Sequence, residues 1–393
     1  MAKIVIDQEK VTEPEELIKL CPFGAIEWDN HYLSINAACK MCKLCVKKGP
    51  AGVFSLIEDE VVAVDKSEWQ GIVVYVDHLD GDIHPVTLEL VGKAKELAGK
   101  IGHPVYCLFM GHNITGKAEA LLHYGVDEVF VYDDEELKYF RIEPYTAVFE
   151  DFIHQVKPSI VLVGGTTVGR SLAPRTAARF HTGLTADCTV LDVEENTDLA
   201  QIRPAFGGNI MAHIFTPNTR PQFATVRYKV FSQAQKTNNP TGKVTHCAIA
   251  KDKLASKIKV LQVKAKEKVK SIEDAEVLVV AGGGIKSAKD MEMLQVLADK
   301  LGGMVAATRP LIEAGFADPR QQIGLSGRTV KPNLIITCGV SGSVQFVAGM
   351  DKSDNIIAIN TDENAAIFNV AHYGIVGDLY EIVPDLIERL NQG

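Results

Sequence analysis

Several things are missing from this chain, and each absence removes a class of function. No apolar run approaches the ~20 residues that a bilayer-crossing helix requires, so no membrane partner is expected. The opening stretch, MAKIVIDQEK, carries charge but no apolar core behind it, and does not read as a signal peptide. Basic residues are in deficit. Lys and Arg number 41 against 50 Asp and Glu, a formal charge of −9, which argues against nucleic acid as a partner. Cysteine is scarce, eight in 393 residues, too few for a disulfide scaffold. The middle of the chain has neither GxGxxG nor a P-loop lysine, and its histidines (His103, His123, His154, His181, His213) are scattered without converging carboxylates. No nucleophile–base constellation is evident. What remains is ordinary globular composition, 46% hydrophobic and 23% charged, enough for two or three domains.

The few cysteines are unevenly spread. Cys39, Cys42 and Cys45 form C-x2-C-x2-C, and Cys21 precedes Pro22. Such clustering suggests a metal in a reducing compartment, and the cytoplasm is the expected location. The bacterial ferredoxin run C-x2-C-x2-C-x3-C-P places its fourth cysteine on a second cluster. Here that fourth position is Gly49, and the three ligands that would complete the second cluster around Cys21 fall on Val11, Pro14 and Leu17. One cluster's ligands are therefore absent together, and those of the other, Cys21, Cys39, Cys42 and Cys45, are all present. The pattern resembles a two-cluster ferredoxin that keeps one 4Fe–4S cluster. A zinc site of four cysteines is the alternative, but zinc ribbons use two separate C-x2-C pairs. Cys107, Cys188, Cys247 and Cys338 lie far apart and read as small core residues.

From Gln70 onward, strand and helix patterns alternate. GIVVYVD, PVYCLFMG, VDEVFVYD and PSIVLVGG read as strands. PVTLELVGKAKELAGKIG, GKAEALLHYG and YTAVFEDFIHQV read as helices, which predicts a mostly parallel sheet covered on both faces. Residues 188–230 turn strand-rich and read as an antiparallel extension. Residues 251–270 hold eight lysines against one Asp and one Glu and read as a linker. From Glu276 the alternation restarts: strands VLVVAGG, GMVAAT, NLIITCG and NIIAIN, and helices SAKDMEMLQVLADKLG, SVQFVAGM and PDLIERLN. The expected fold class is α/β. Two doubly wound α/β domains (67–262 and 263–393, the second Rossmann-like) follow a small α+β ferredoxin-like domain (1–66).

In the last domain, VVAGGGIKSAKD runs strand, glycines, helix start, with Ser287 as a candidate N-cap. TCGVSGSVQFVAGM repeats the device, and AINTDENAAIF ends a strand at Asn360. Several glycine loops at strand carboxyl ends are what a dinucleotide crevice needs. ATRPLIEAGFADPRQQIGLSGRTVKPNLIITCGVSGSVQFVAGM and IIAINTDENAAIFNVAHYGIVGDLYEIVPDLIERL closely resemble the FAD domain of electron-transfer flavoprotein alpha subunits. GGTTVGRSLAPRTAARFHTGLTADCTVLDV and IRPAFGGNIMAHIFTP are similar to the first domain of that subunit. The resemblance implies bound FAD. It implies Gly283 and Gly284 in the first glycine loop. Arg309 falls beside the flavin ring, where a cation stabilises anionic flavin, with Thr308 as a neighbouring hydroxyl. Gln322, Ile323, Gly324, Leu325 and Ser326 form the loop against the ring. Ser341, Gly342, Ser343, Val344, Gln345 and Phe346 contact phosphates and ring, and Asn360 and Asp378 the adenosine side. Read alone, Arg309 fits a surface ion pair and Asp378 a helix-end carboxylate. Three departures stand out: AGGGIK lacks the family's arginine, Leu325 replaces a common Gln, and Phe346 replaces a common His.

Alpha subunits with a ferredoxin-like extension resemble those of flavin-based electron-bifurcating complexes. The resemblance implies an FAD- and 4Fe–4S-containing subunit that couples NADH oxidation to reduction of an enoyl-CoA of the caffeyl-CoA type and of ferredoxin. Its partners would be an electron-transfer flavoprotein beta subunit, an acyl-CoA dehydrogenase-type reductase subunit and ferredoxin. The alternatives are a non-bifurcating carrier serving a lactate dehydrogenase-type enzyme, and a nucleotide-binding redox-sensing module.

Overall fold

The structure is a computed structural model that describes residues 2–29, 31–36, 38–58, 64–205, 210–264 and 270–392. The chain divides into two compact units, Met1–Val64 and Asp65–Gly393.

The first unit is small. Strand β1 (Ala2–Ile6) pairs antiparallel with β4 (Phe54–Glu58), and β2 (Ile26–Asp29) with β3 (Tyr32–Ile35). Helices α1 (Pro14–Lys19) and α2 (Leu44–Lys48) lie between. Its core is Leu17, Ile26, Leu33, Cys45, Val53 and Phe54. So small a core stabilises weakly by itself. The Gln8 side chain adds a tie, accepting from Leu33 N–H at 3.0 Å and donating to its carbonyl at 2.7 Å.

The second unit opens on β5 (Ile72–Tyr75) and a tight hairpin, β6 (His78–Leu79) with β7 (Asp82–Ile83). Helix α3 (Pro85–Ile101) starts with proline in its first turn and the His84 ring accepting from Val86 N–H, and it stops at Gly102, whose φ of 68° suits glycine. There follow β8 (Val105–Gly111), α4 (Glu119–Leu122), β9 (Glu128–Asp133), α5 (Ile142–Val156), β10 (Ile160–Gly164) and α6 (Thr167–Arg179). Then come β11 (Leu184–Thr185), β12 (Val190–Val193), β13 (Leu199–Ala205), β14 (Ile210–Ile214), β15 (Gln222–Val226) and β16 (Lys243–Cys247). The main sheet runs β11-β15-β10-β5-β8-β9-β16, every pair parallel. β5 and β10 are buried along their whole length, as parallel strands covered on both faces must be. Ile72 and Val74 face α3, whereas Val73 and Tyr75 face α5 and α6.

The strand-rich stretch divides. β12, β13 and β14 form the expected antiparallel sheet, but β15 does not belong to it. It enters the main sheet parallel to β10, because its five residues are all buried and need cover on both faces.

In the lysine-rich stretch, Leu254 is fully buried in the first core and Ile272 in the next. Residues 255–264 carry no helix or strand, and the linker residues 265–269 lie outside the described residues, as does the 206–209 part of IRPAFGGNIMAHIFTP.

Beyond it stand β17 (Val277–Ala281), α7 (Met291–Lys300), β18 (Met304–Ala307), α8 (Arg309–Glu313), β19 (Leu334–Cys338), α9 (Val344–Val347), β20 (Asn355–Asn360), β21 (Tyr373–Val376) and α10 (Leu379–Gln392). The sheet order is β18-β17-β19-β20-β21, all parallel. Strand order reverses between β17 and β19, and an open α/β sheet leaves its ligand crevice at that place.

Candidate functional site

A cavity of about 1170 Å³ opens where that reversal predicts. The loops after β17 and β19 form its floor. Gly284 N–H donates to Gly339 O at 3.0 Å, and Gly282 N–H to Cys338 O at 2.9 Å. A Cβ at Gly282 would lie 2.3 Å from Gly339 O, so only main chain fits between these loops. Gly339 itself has a φ of 65°, where a side chain strains the backbone. Gly283 lines the cavity with no atom near its missing side chain. The Asn360 amide ties the loop after β20 to the floor by donating to Val340 O at 2.8 Å.

Thr308 stands at the N-cap position of α8 without making a capping bond; it is buried, and its Oγ1 has no hydrogen-bond partner in the protein. An orphaned buried hydroxyl on a cavity wall awaits a polar ligand atom. Arg309 follows it on the wall. Its Nε lies 2.7 Å from Glu313 Oε1, and the guanidinium is exposed. Gln322, Ile323, Gly324, Leu325 and Ser326 form one wall. The loop is internally braced: Gln322 Nε2 donates to Ser326 Oγ at 2.7 Å, Arg328 N–H to Gln322 O at 2.7 Å, and Leu325 N–H to Gln345 O at 2.9 Å. Ser341, Ser343, Gln345 and Phe346 also line the cavity, next to this loop.

Two of the expected residues do not line this cavity. Gly342 has a φ of 83°, and a Cβ there would lie 2.1 Å from Ile367 N; its role is close packing. The Val344 side chain is exposed and borders a separate cavity of about 280 Å³. Asp378 lines the main cavity, but its carboxylate also accepts from Tyr380 N–H at 2.9 Å at the start of α10. Both plain readings of single residues are thus realised: Arg309 makes an ion pair and Asp378 caps a helix, while each also faces the cavity.

Lys286 and Tyr380 line the cavity and were not foreseen. Lys286 N–H donates to Tyr380 Oη at 2.9 Å, Tyr380 Oη–H donates to Asp290 Oδ2 at 2.8 Å, and Lys286 Nζ sits 4.7 Å from the ring centre. Lys286 supplies a cation just beyond the glycine loop that lacks the usual arginine. Ser287, the candidate N-cap, does cap the next turn, its N–H donating to Asp290 Oδ2 at 2.9 Å.

The equivalent place in the first sheet is filled. At the carboxyl ends of β5 and β10, Asp77 Oδ2 accepts from Thr166 Oγ1, and a Cβ at Gly164 would lie 2.7 Å from a Val86 methyl.

In the N-terminal unit, Cys21, Cys39, Cys42 and Cys45 all border one small hollow, with Leu20, Phe23, Ala25 and Ile26 among its apolar walls. Main-chain N–H groups are aimed at two of the sulfurs: Ala25 N–H to Cys21 Sγ at 3.3 Å, and Met41 N–H to Cys39 Sγ at 3.4 Å. Among the described residues no three His, Cys, Asp or Glu converge tightly enough to hold one metal ion. Four thiols bordering one hollow, two of them with N–H donors to sulfur, are a donor set of the kind an iron–sulfur cluster uses.

Family models match the chain twice: an electron transfer flavoprotein domain over residues 72–252, and an electron transfer flavoprotein FAD-binding domain over 271–351. The chain is 43% identical to the electron transfer flavoprotein subunit alpha of Clostridium acetobutylicum, over 83% of this chain and 98% of that one.

This chain belongs to the electron transfer flavoprotein alpha-subunit family.

It is also 62% identical to the lactate dehydrogenase (NAD(+),ferredoxin) subunit LctC of Acetobacterium woodii, over 99% of this chain and 94% of that protein. LctC matches 99% of this chain and the Clostridium acetobutylicum subunit 83%, a difference of about the length of the N-terminal unit. A third relative, the acryloyl-CoA reductase electron transfer subunit beta of Anaerotignum propionicum, is 36% identical over 84% of this chain and 98% of its own length. The alpha subunit is thus an electron-transfer protein of a kind found in oxidoreductase complexes, with an FAD-binding domain. Among the expected readings, LctC is of the lactate dehydrogenase type, not the caffeyl-CoA type. The matched FAD-binding stretch ends at 351, yet Asn360, Asp378 and Tyr380 also line the cavity. No helix among the described residues is long and apolar enough to cross a membrane.

Proposed function

We propose that this alpha subunit holds FAD in the 1170 Å³ cavity and a 4Fe–4S cluster on Cys21, Cys39, Cys42 and Cys45. It would serve a lactate dehydrogenase-type complex that exchanges electrons with NAD and ferredoxin. The carrying observation is likeness to LctC across 99% of the chain, including the cysteine-bearing unit. Thr308 Oγ1, the glycine floor, Arg309 and Lys286 suit an anionic dinucleotide. The flavin would supply both one- and two-electron chemistry. The protein's part is to fix its orientation, keep cations near the ring and cover it with the Ile323–Ser326 wall. The partners are an electron-transfer flavoprotein beta subunit, a flavoprotein dehydrogenase subunit and ferredoxin. The remaining walls of the electron path belong to those partners.

The test is anaerobic co-purification from the native host, with flavin and iron counted per chain and two assays run. One follows lactate-dependent NAD reduction with reduced ferredoxin present. The other follows NADH-dependent reduction of an enoyl-CoA such as caffeyl-CoA. Activity only with lactate supports the proposal. Activity only with the enoyl-CoA moves the chain to the caffeyl-CoA type, and a preparation with partners bound but no flavin sinks the reading altogether.

A further inference from the structure

The loop Gln322–Arg328 is braced within itself, but one of its groups points away from the cavity to another domain. Gly327 O accepts from Arg227 Nη1 at 3.3 Å. Arg227 stands directly after β15, in the first α/β domain. Its Nη2 lies 2.7 Å from Asp187 Oδ2, and both side chains are mostly buried. We infer that Arg227 is a positioning residue: bridging Asp187 and the Gly327 carbonyl, it holds the loop that faces the flavin in register with the first α/β domain.

The surroundings are built for this task. Asp187 sits in the left-handed region at φ 55°, unusual for a non-glycine residue, and its N–H donates to Thr225 Oγ1 at 3.0 Å. Its other carboxylate oxygen is buried without a partner, so the Arg227 bond carries much of its neutralisation. Burial works to raise this carboxyl, but the Arg227 hydrogen bond and the charges of Arg227, Arg170 and Arg203 outweigh it and hold it below its ordinary range. The segment behind Arg227 is equally fixed. Gly165 N–H donates to Val226 O at 2.6 Å, and Lys229 N–H donates to both Glu89 oxygens, at 3.2 and 2.9 Å. The guanidinium therefore reaches out from a rigid base. Its planar fork offers two diverging N–H groups, one for each partner, which a lysine ammonium cannot reproduce in the same geometry. On the other side of the loop, Arg328 is bonded to Ser271 and Glu273 at the end of the linker. The loop facing the flavin is thus tied both to the first α/β domain and to the linker, and a displacement of that domain would be felt at Ser326 and Leu325.

The inference rests on the flavin reading for its consequence, but hydrogen exchange tests the bridge without flavin. Amide exchange over 322–328 is compared in the full chain for wild type, R227A, R227K and D187N, with and without FAD. In R227A these amides should exchange roughly tenfold faster, the effect of losing one hydrogen bond to a charged group, while the β5 and β10 amides keep wild-type rates. R227K should resemble R227A, since charge alone does not rebuild the bridge. D187N, which leaves the arginine in place, should fall between. In the FAD-bound form R227A should also shift the flavin absorption and midpoint potential. Exchange over 322–328 within twofold of wild type in folded R227A overturns the inference; if R227A does not fold, the same result in R227K does so. Wild type that takes up no FAD sinks the flavin reading alone, because exchange in the flavin-free chain still decides the role of Arg227.

Discussion

Gly282 and Gly339 meet main chain to main chain, with 2.3 Å between a Cβ added at the first and the carbonyl oxygen of the second. Gly283, one residue on, meets nothing within 4 Å although it lines the same cavity. The two positions therefore separate folding from binding. G282A should push the loops apart, cost ~1–3 kcal/mol and lose flavin. G283A should leave the melting of flavin-free protein unchanged but place a methyl group where the ligand lies, weakening flavin retention at least tenfold. Melting curves of apoprotein with FAD titrations check both, and equal behaviour of the two variants would refute the close-packed floor.

Arg309 stabilises the fold little. Its pairing with Glu313 is an exposed contact between neighbouring turns of α8, worth a few tenths of a kcal/mol at most. R309A should accordingly melt within ~0.5 kcal/mol of wild type while changing the flavin spectrum and lowering its midpoint potential, because a cation beside the ring favours reduced, anionic flavin. E313A should leave the potential where it is. A potential unmoved in R309A would remove Arg309 from the flavin's surroundings.

The two departures proposed to face the ring are not equivalent. Leu325 is half-buried on a loop, but Phe346 is 4% exposed and packs in the core with Val330, Met350 and Ile367. L325Q should be tolerated. F346H should cost ~1–3 kcal/mol, since it sets a polar ring among apolar neighbours without a partner inside the core. Urea unfolding of the two variants distinguishes them, and a fully stable F346H would show that its ring finds a partner in the cavity.

What could be read from sequence followed the physics of burial. β10 and β17 are short, continuous apolar runs that lead into glycines, and α3 ends on a left-handed glycine, so the alternation was legible. The direction of β15 was not, because a buried run looks alike in parallel and antiparallel company. β21, Tyr-Gly-Ile-Val, was missed: it is an edge strand exposed at every residue, so no burial pattern marks it. In the site, the glycine loops showed themselves through spacing and resemblance, but Lys286 and Tyr380 lie 94 positions apart and only the docking of α10 brings them together. Gly342 and Val344 show the converse. A motif carries every residue of its stretch along, while in a tight turn successive side chains point to different sides.

The eight cysteines should behave as two classes. Cys42 is exposed, so in protein stripped of iron it should react first with thiol reagents. Cys107 and Cys338 are fully buried in strands, and burial pushes both thiols up, that of Cys338 to about 12; they should stay inert until the chain unfolds. C39S or C42S should abolish iron binding and the broad visible absorbance of a cluster while leaving flavin bound. Iron at wild-type level in C39S and C42S would rule out the four-cysteine cluster.

Glu89 gives the fold a dependence on pH with a definite sign. It is buried on α3, and desolvation raises its carboxyl from 4.5 to about 7, opposed by the Lys229 and Phe231 N–H groups and by the charges of Lys229 and Lys331. The folded chain therefore holds this proton more tightly than the unfolded chain does. Below about pH 4.5 Glu89 is protonated in both states and costs nothing. Between 4.5 and 7 the unfolded state ionises first, so stability falls as pH rises, by up to ~3 kcal/mol in all, and levels off above that range. E89Q removes this titration, and its amide oxygen still accepts from Lys229 N–H. The stability of E89Q relative to wild type should thus rise from pH 5 to pH 8 in urea unfolding, all other groups being common to both. A difference that stays flat across that interval would mean that Glu89 is already ionised in the folded protein at pH 5.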